Sequence, residues 1–169
     1  MSPRFVPSVL MALLVLVLFA ACGGDDEIAL DVYFAEIEVM DDDFRERTIA
    51  IDFGGGEGTD EDALRAGRAS IESTADILSD FVNDLDTLTP PSVAAMEHED
   101  SVRAGRDLVQ RYVDLLERLS GADSIKEFGD LLVENNDLGP AVMRFQVACA
   151  SLAEVAAENG ITVDFNCGG

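Results

Sequence analysis

The sequence predicts an all-α protein: an up-and-down bundle of four to five helices with an extended C-terminal tail stapled by a disulfide. Three observations carry this. Apolar residues recur three or four apart through long, otherwise charged stretches, the spacing of helices with one buried face. Glycine and proline clusters cut those stretches with short connections, which makes neighbouring helices antiparallel. Past the N-terminal region only two cysteines remain, Cys149 and Cys167, both near the C-terminus.

From Ala29 to about Asp52 the apolar residues are Leu30, Phe34, Ile37, Met40, Phe44 and Ile51, with Glu36, Glu38, Asp42 and Arg45 on the other face. The glycine-rich run Gly54 to Gly58 ends this helix. Thr59 followed by Asp62 resembles a capping box with Asp in place of Glu, and acids crowd the first turn, where the helix dipole favours them. The second helix runs to about Leu88 on the stripe Leu64, Gly67, Ile71, Thr74, Leu78, Phe81, Leu85, Leu88, a seam for lengthwise packing. Thr89-Pro90-Pro91 stops it and opens the third, because proline suits a first helical turn.

The third helix extends to about Leu119 and buries Ala95, His98, Val102, Gly105, Val109, Tyr112, Leu116 and Leu119. Gly121 ends it. Ser124 with Glu127 is a second capping box, opening a short helix to about Glu134. A turn over residues 135–140 leads to the last helix, from about Pro140 to Glu158, which buries Val142, Phe145, Cys149, Leu152 and Val155. Asn159-Gly160 fits a C-terminal cap. Ile161, Val163 and Phe165 then alternate with polar residues, as an extended segment does with one side buried. From Cys149 to Gly160 a helix rises about 16 Å, and seven extended residues span at most about 23–25 Å. The tail can therefore fold back along the helix and bring Cys167 to Cys149.

The N-terminus decides where such a domain resides. Arg4 precedes an uncharged run, Val9 to Ala21, that is shorter than the about 20 residues a membrane-spanning helix needs. Its length and the small residues at its end fit a signal peptide. Leu18-Phe19-Ala20-Ala21-Cys22 resembles a bacterial lipobox, with Phe19 where that family usually has Leu, Val or Ile. The resemblance covers about the first 24 residues. It implies removal of residues 1–21 and lipidation of Cys22; residues 22–28 then read as a polar tether, and the helical pattern places the bundle domain over residues 29–169. The other reading of the same residues is ordinary secretory cleavage near Ala21, with Cys22 free. Lipidation would hold the protein on a membrane without spanning it, since a doubly acylated cysteine is a stable anchor.

Removal of residues 1–21 leaves 148 of the 169 residues, enough for one domain with a real core. It leaves 10 basic against 34 acidic residues, a net charge of −24. That surface repels phosphate backbones, which excludes nucleic acid as a partner. The partners it allows are the membrane through the anchor, another protein, or a small cationic molecule. The isolated cysteine pair forms no C-x-x-C motif and reads as a disulfide of an oxidising compartment.

No catalytic signature stands out, and no cofactor is expected. His98 is the single histidine. It lies on the apolar stripe and reads as a half-buried, hydrogen-bonded side chain. The alternative makes it a metal or haem ligand inside the bundle, with Met40, Met96 or Met143 as partner. Glu-x-x-His is absent, because residue 95 is Ala, and so is C-x-x-C-H. Asp41-Asp42-Asp43 and Asp60-Glu61-Asp62 read as solvated faces, since consecutive side chains on a helix diverge. The glycine run lacks the Gly-Lys-Ser/Thr ending of a phosphate cradle.

The stretch from Ala148-Cys149 to Asp164-Phe165-Asn166-Cys167, with the junction Leu88-Thr89-Pro90-Pro91, is similar to stretches in uncharacterised lipoproteins of Gram-positive and related bacteria. That resemblance implies a helical domain anchored outside the cytoplasm, and transfers no functional residue. The expectation is a lipid-anchored, non-enzymatic binding or structural module of the cell envelope.

Overall fold

The computed structural model describes residues 29–52, 58–134, 137–165 and 167. Residues 1–28, on which the expected leader, Cys22 and tether fall, and residues 54–57 of the glycine-rich run lie outside them. The described residues form five helices, α1 (Leu30–Ile49), α2 (Asp60–Thr87), α3 (Ala95–Ser120), α4 (Ile125–Glu134) and α5 (Leu138–Glu158). There is no strand among them.

Local chemistry sets most of the helix ends. α1 stops at Ile49, short of the expected Asp52. The Ser70 hydroxyl donates to the Asp52 carbonyl at 2.7 Å, which ties the exit from α1 to the flank of α2. At the start of α2 the Asp62 N–H donates to the Thr59 hydroxyl oxygen at 3.2 Å, and the Thr59 N–H donates to the Asp62 carboxylate at 3.1 Å. This is the predicted capping box, closed in both directions. α3 begins at Ala95 rather than at the prolines, because a turn intervenes in which the Ala94 N–H donates to the Pro91 carbonyl at 2.8 Å. Before α4 the Glu127 N–H reaches the Ser124 hydroxyl at 3.2 Å, but the Glu127 carboxylate takes the Asp123 N–H at 2.9 Å, one residue earlier than a regular capping box.

α5 ends as the Asn159-Gly160 pair predicts. Gly160 has φ +76°, a left-handed conformation that glycine adopts without penalty. The Ile161 N–H then returns to the Ala156 carbonyl at 2.9 Å, and the Gly160 N–H to the Ala157 carbonyl at 3.0 Å, the two bonds of a Schellman motif.

Packing follows the apolar stripes. α3 lies between α2 and α5 and packs on both, α1 packs on α2, and α4 lies against α2 and α3. Neighbours are antiparallel. Phe44 of α1 meets Phe81 of α2, Arg106 of α3 meets Asp86 of α2, and Arg144 of α5 meets Asp107 of α3. The tail closes the side between α1 and α5. Phe165 stacks on Phe34 of α1 with centroids 6.2 Å apart, and Cys167 joins Cys149 of α5 with Cα atoms 6.2 Å apart. Along the tail Ile161, Val163 and Phe165 turn inward while Thr162 and Asp164 face solvent, the predicted alternation.

The main core holds Tyr33, Phe34, Ile37, Val82, Leu85, Phe145 and Leu152 almost fully buried, while Leu64, Leu115 and Leu119 are buried outside it, toward the α4 end. Two glycines of the predicted stripes mark close approaches. A Cβ on Gly105 would stand 2.5 Å from Val82 Cγ2, and one on Gly67 would stand 3.0 Å from the Phe128 ring of α4. Three burials differ from expectation. Ala95 is exposed in the first turn of α3, Leu115 lies deeper than Leu116, and Asp41 is fully buried rather than solvated. Asp41 sits where the α1 stripe of Phe34, Ile37 and Phe44 continues, three to four residues from each neighbour, so helical phase takes it inward.

Candidate functional site

The features singled out in the sequence lie in different parts of the molecule. Cys22 is outside the described residues, while Cys149 and Cys167 form the disulfide that holds the tail. His98 is buried in the first turns of α3. The Tyr33 hydroxyl of α1 lies 2.9 Å from its Nδ1, a bond across 65 positions of sequence. Burial pushes the Tyr33 phenol well above its ordinary value, so the group stays protonated. Burial also lowers the pKa of His98, opposed by the charges of Asp86 and Glu99, and favours the neutral imidazole.

This geometry bears on His98 as a ligand. One ring nitrogen already has a partner. The cleft that reaches the ring, about 380 Å³, is lined by Asp86, Glu99, Val102, Arg103 and Arg106. Met143 lines a different cleft, Met40 lines one between α1 and α2, and Met96 is solvent-exposed. Among the described residues no three of His, Cys, Asp and Glu gather in a metal-holding group. No helix among them is long and apolar enough to cross a membrane.

A second partly apolar cleft lies elsewhere, along the seam of α3 and α5. It encloses about 490 Å³ between Glu97, Asp100, Arg103 and Ala104 on α3 and Met143, Arg144, Val147, Ala148 and Ser151 on α5. Met143 and Val147 are one helical turn apart on α5, and both are about two-thirds exposed. Small residues, Ala104 on α3 and Ala148 on α5, line the cleft beside them. The flanking arginines are held by carboxylates: Arg103 pairs with Asp100, and Arg144 donates to Asp107 at 2.6 Å. The Arg144 bond, first among the causes, holds the Asp107 carboxyl below the ordinary range. The result is an apolar strip in a frame of paired charges.

The sequence reading missed this strip. It ranked α5 residues by one buried stripe through Phe145, Cys149 and Leu152, and Met143 and Val147 fall just off that stripe. An available signal was that α5 carries no acid between Leu138 and Ala153, unlike every other long helix here. Comparison with known proteins adds no constraint on the site, since no protein family, no curated protein and no solved structure matches this chain.

Proposed function

We propose that the chain is a lipid-anchored, extracytoplasmic helical module that binds a partner along the α3–α5 seam and performs no chemistry of its own. The observation that carries the binding reading is the exposed pair Met143 and Val147 in a cleft framed by fixed ion pairs. Neighbouring exposed apolar side chains within a polar rim are what many contact surfaces present. The placement outside the cytoplasm is supported by the signal-like residues 1–21, by Cys22 in its lipobox-like setting, and by a disulfide joining the only other two cysteines.

Two measurements test this reading. The intact mass of protein purified from membranes should show residues 1–21 removed, a lipid on Cys22, and two hydrogens fewer than the reduced chain. A photo-crosslinking residue at Val147 should give a discrete adduct in living cells that Met143→Glu abolishes. The same crosslinker at Val113, exposed on α3 but absent from the cleft lining, should not give that adduct. Equal adducts from both positions would refute the seam as the contact surface. A chromophore or metal that co-purifies and is lost on His98→Ala would replace this function with the ligand-binding alternative.

A further inference from the structure

The two ends of the bundle differ, and the chain enters at only one of them. Tyr33, in the first turn of α1, bonds His98 near the start of α3. Since α2 is antiparallel to both helices, its last turn and the Thr89-Pro90-Pro91 junction lie at this same end. α4 and the last turn of α3 stand at the other end, where Arg68 of α2 reaches the Leu119 and Ala122 carbonyls. The 26 residues of α3 separate the two ends by about 39 Å. From Cys22 to Ala29 the chain spans at most about 23–25 Å.

The entry end also carries an apolar tip. Val93, in the turn after the prolines, is 54% exposed, and Met96 one turn on is 68% exposed. Val32 on the first turn of α1 is also exposed. Acids surround the tip, with Asp31, Asp86, Glu97 and Glu99 at the same end. Such a rim is repelled by anionic headgroups and tolerated by zwitterionic ones.

We infer that the end formed by the start of α1, the Pro90-Pro91 turn and the start of α3 faces the membrane, with Val93 and Met96 resting in the headgroup layer of a weakly charged bilayer. This orientation rests on the proposed lipid anchor at Cys22. It points α4 and the glycine-rich connection away from the membrane and leaves the α3–α5 seam standing upright, open to partners from the side.

The chain contains no tryptophan, so single tryptophans report position without background. The probe pair is Met96→Trp and Val133→Trp, both at exposed positions, in the lipidated full chain reconstituted into phosphatidylcholine vesicles. With bromine placed near the headgroups of the lipid, fluorescence of Met96→Trp should fall at least about twofold and that of Val133→Trp should hold. Added phosphatidylglycerol should weaken the quenching, and salt should restore it. Quenching of Val133→Trp alone, or of neither tryptophan in a chain of lipidated mass, would overturn the orientation and leave the anchor standing. A chain whose mass lacks the lipid would overturn the anchor and the orientation together.

Discussion

Gly105→Ala adds one methyl group where, among the described glycines, a Cβ would meet its neighbours most closely. The new Cβ would stand 2.5 Å from Val82 Cγ2 and 3.0 Å from Phe145 Cε2, where ordinary carbon contacts begin near 3.5 Å. Val82 is 1% exposed and β-branched in a helix, so it has essentially one rotamer and nowhere to turn. Phe145 is as deeply buried and sits edge-on to Phe81. Relief therefore requires α3 to move away from α2 and α5 together. Overpacking of this kind costs up to about 3 kcal/mol, and the higher helix propensity of alanine returns about 1 kcal/mol. A net loss of about 2 kcal/mol lowers the Tm of a domain this size by roughly 7 °C. Gly129→Ala is the control, since a Cβ there meets nothing within 4 Å, and it should stabilise by about 0.5–1 kcal/mol. Thermal unfolding followed by circular dichroism reads both. If Gly105→Ala stabilises as much as Gly129→Ala, the α2–α3 crossing is looser than described and the packing argument fails.

Three further outcomes are expected. Replacing Cys149 and Cys167 together with serine opens a loop closed over 18 positions and should cost about 3 kcal/mol in the chain-entropy model, read as a lower urea midpoint. An unchanged midpoint would show that the tail holds its place by Phe165 alone. Arg68→Ala removes donors to the Leu119 and Ala122 carbonyls, at 3.0 Å and 2.5 Å, and should cost about 1–2 kcal/mol with little change in the denaturant slope. Because the folded-state pKa of His98 lies below its ordinary 6.5, the unfolded chain binds the extra proton first. Stability from this group is complete above pH 6.5 and declines as pH falls through 6.5 toward the folded value. His98→Gln should remove that decline, and parallel stability profiles for the two proteins between about pH 7.5 and 5.5 would refute the assignment.

The architecture was readable because each helix states its own boundaries and inner face. Thr59 with Asp62, Asn159 with Gly160, and the alternation from Ile161 to Phe165 are local signals, and local signals survive tertiary packing. What was not readable depends on neighbours. Asp41 looked solvated because it stands among acids, although its phase with Phe34, Ile37 and Phe44 points inward. His98 was expected on a buried face with a hydrogen bond, but no spacing rule names Tyr33 as its partner across 65 residues. The seam escaped for the opposite reason. Met143 and Val147 fall just off the buried stripe of α5, and only the placement of α3 beside α5 shows that both line a cleft.

The arrangement of charge narrows what that seam can meet. Arg45, Arg47, Arg65, Arg103, Arg106, Arg111, Arg144 and Lys126 each lie within 4.0 Å of a carboxylate. Arg68 is engaged with backbone carbonyls. All of these ion pairs are at least partly exposed and each contributes at most about 1 kcal/mol. Their larger effect is on the surface field, because these cations are tied locally while acids outnumber bases by 24 beyond residue 21 (34 against 10). A ligand approaching Met143 and Val147 crosses a negative field before it touches apolar surface. An anionic partner is slowed on the way in, and a basic one is steered, by an amount that falls as salt rises. If the seam is the contact surface, apolar contact would set how long the complex lasts, and the net negative charge of the whole surface would set which molecules arrive to form it.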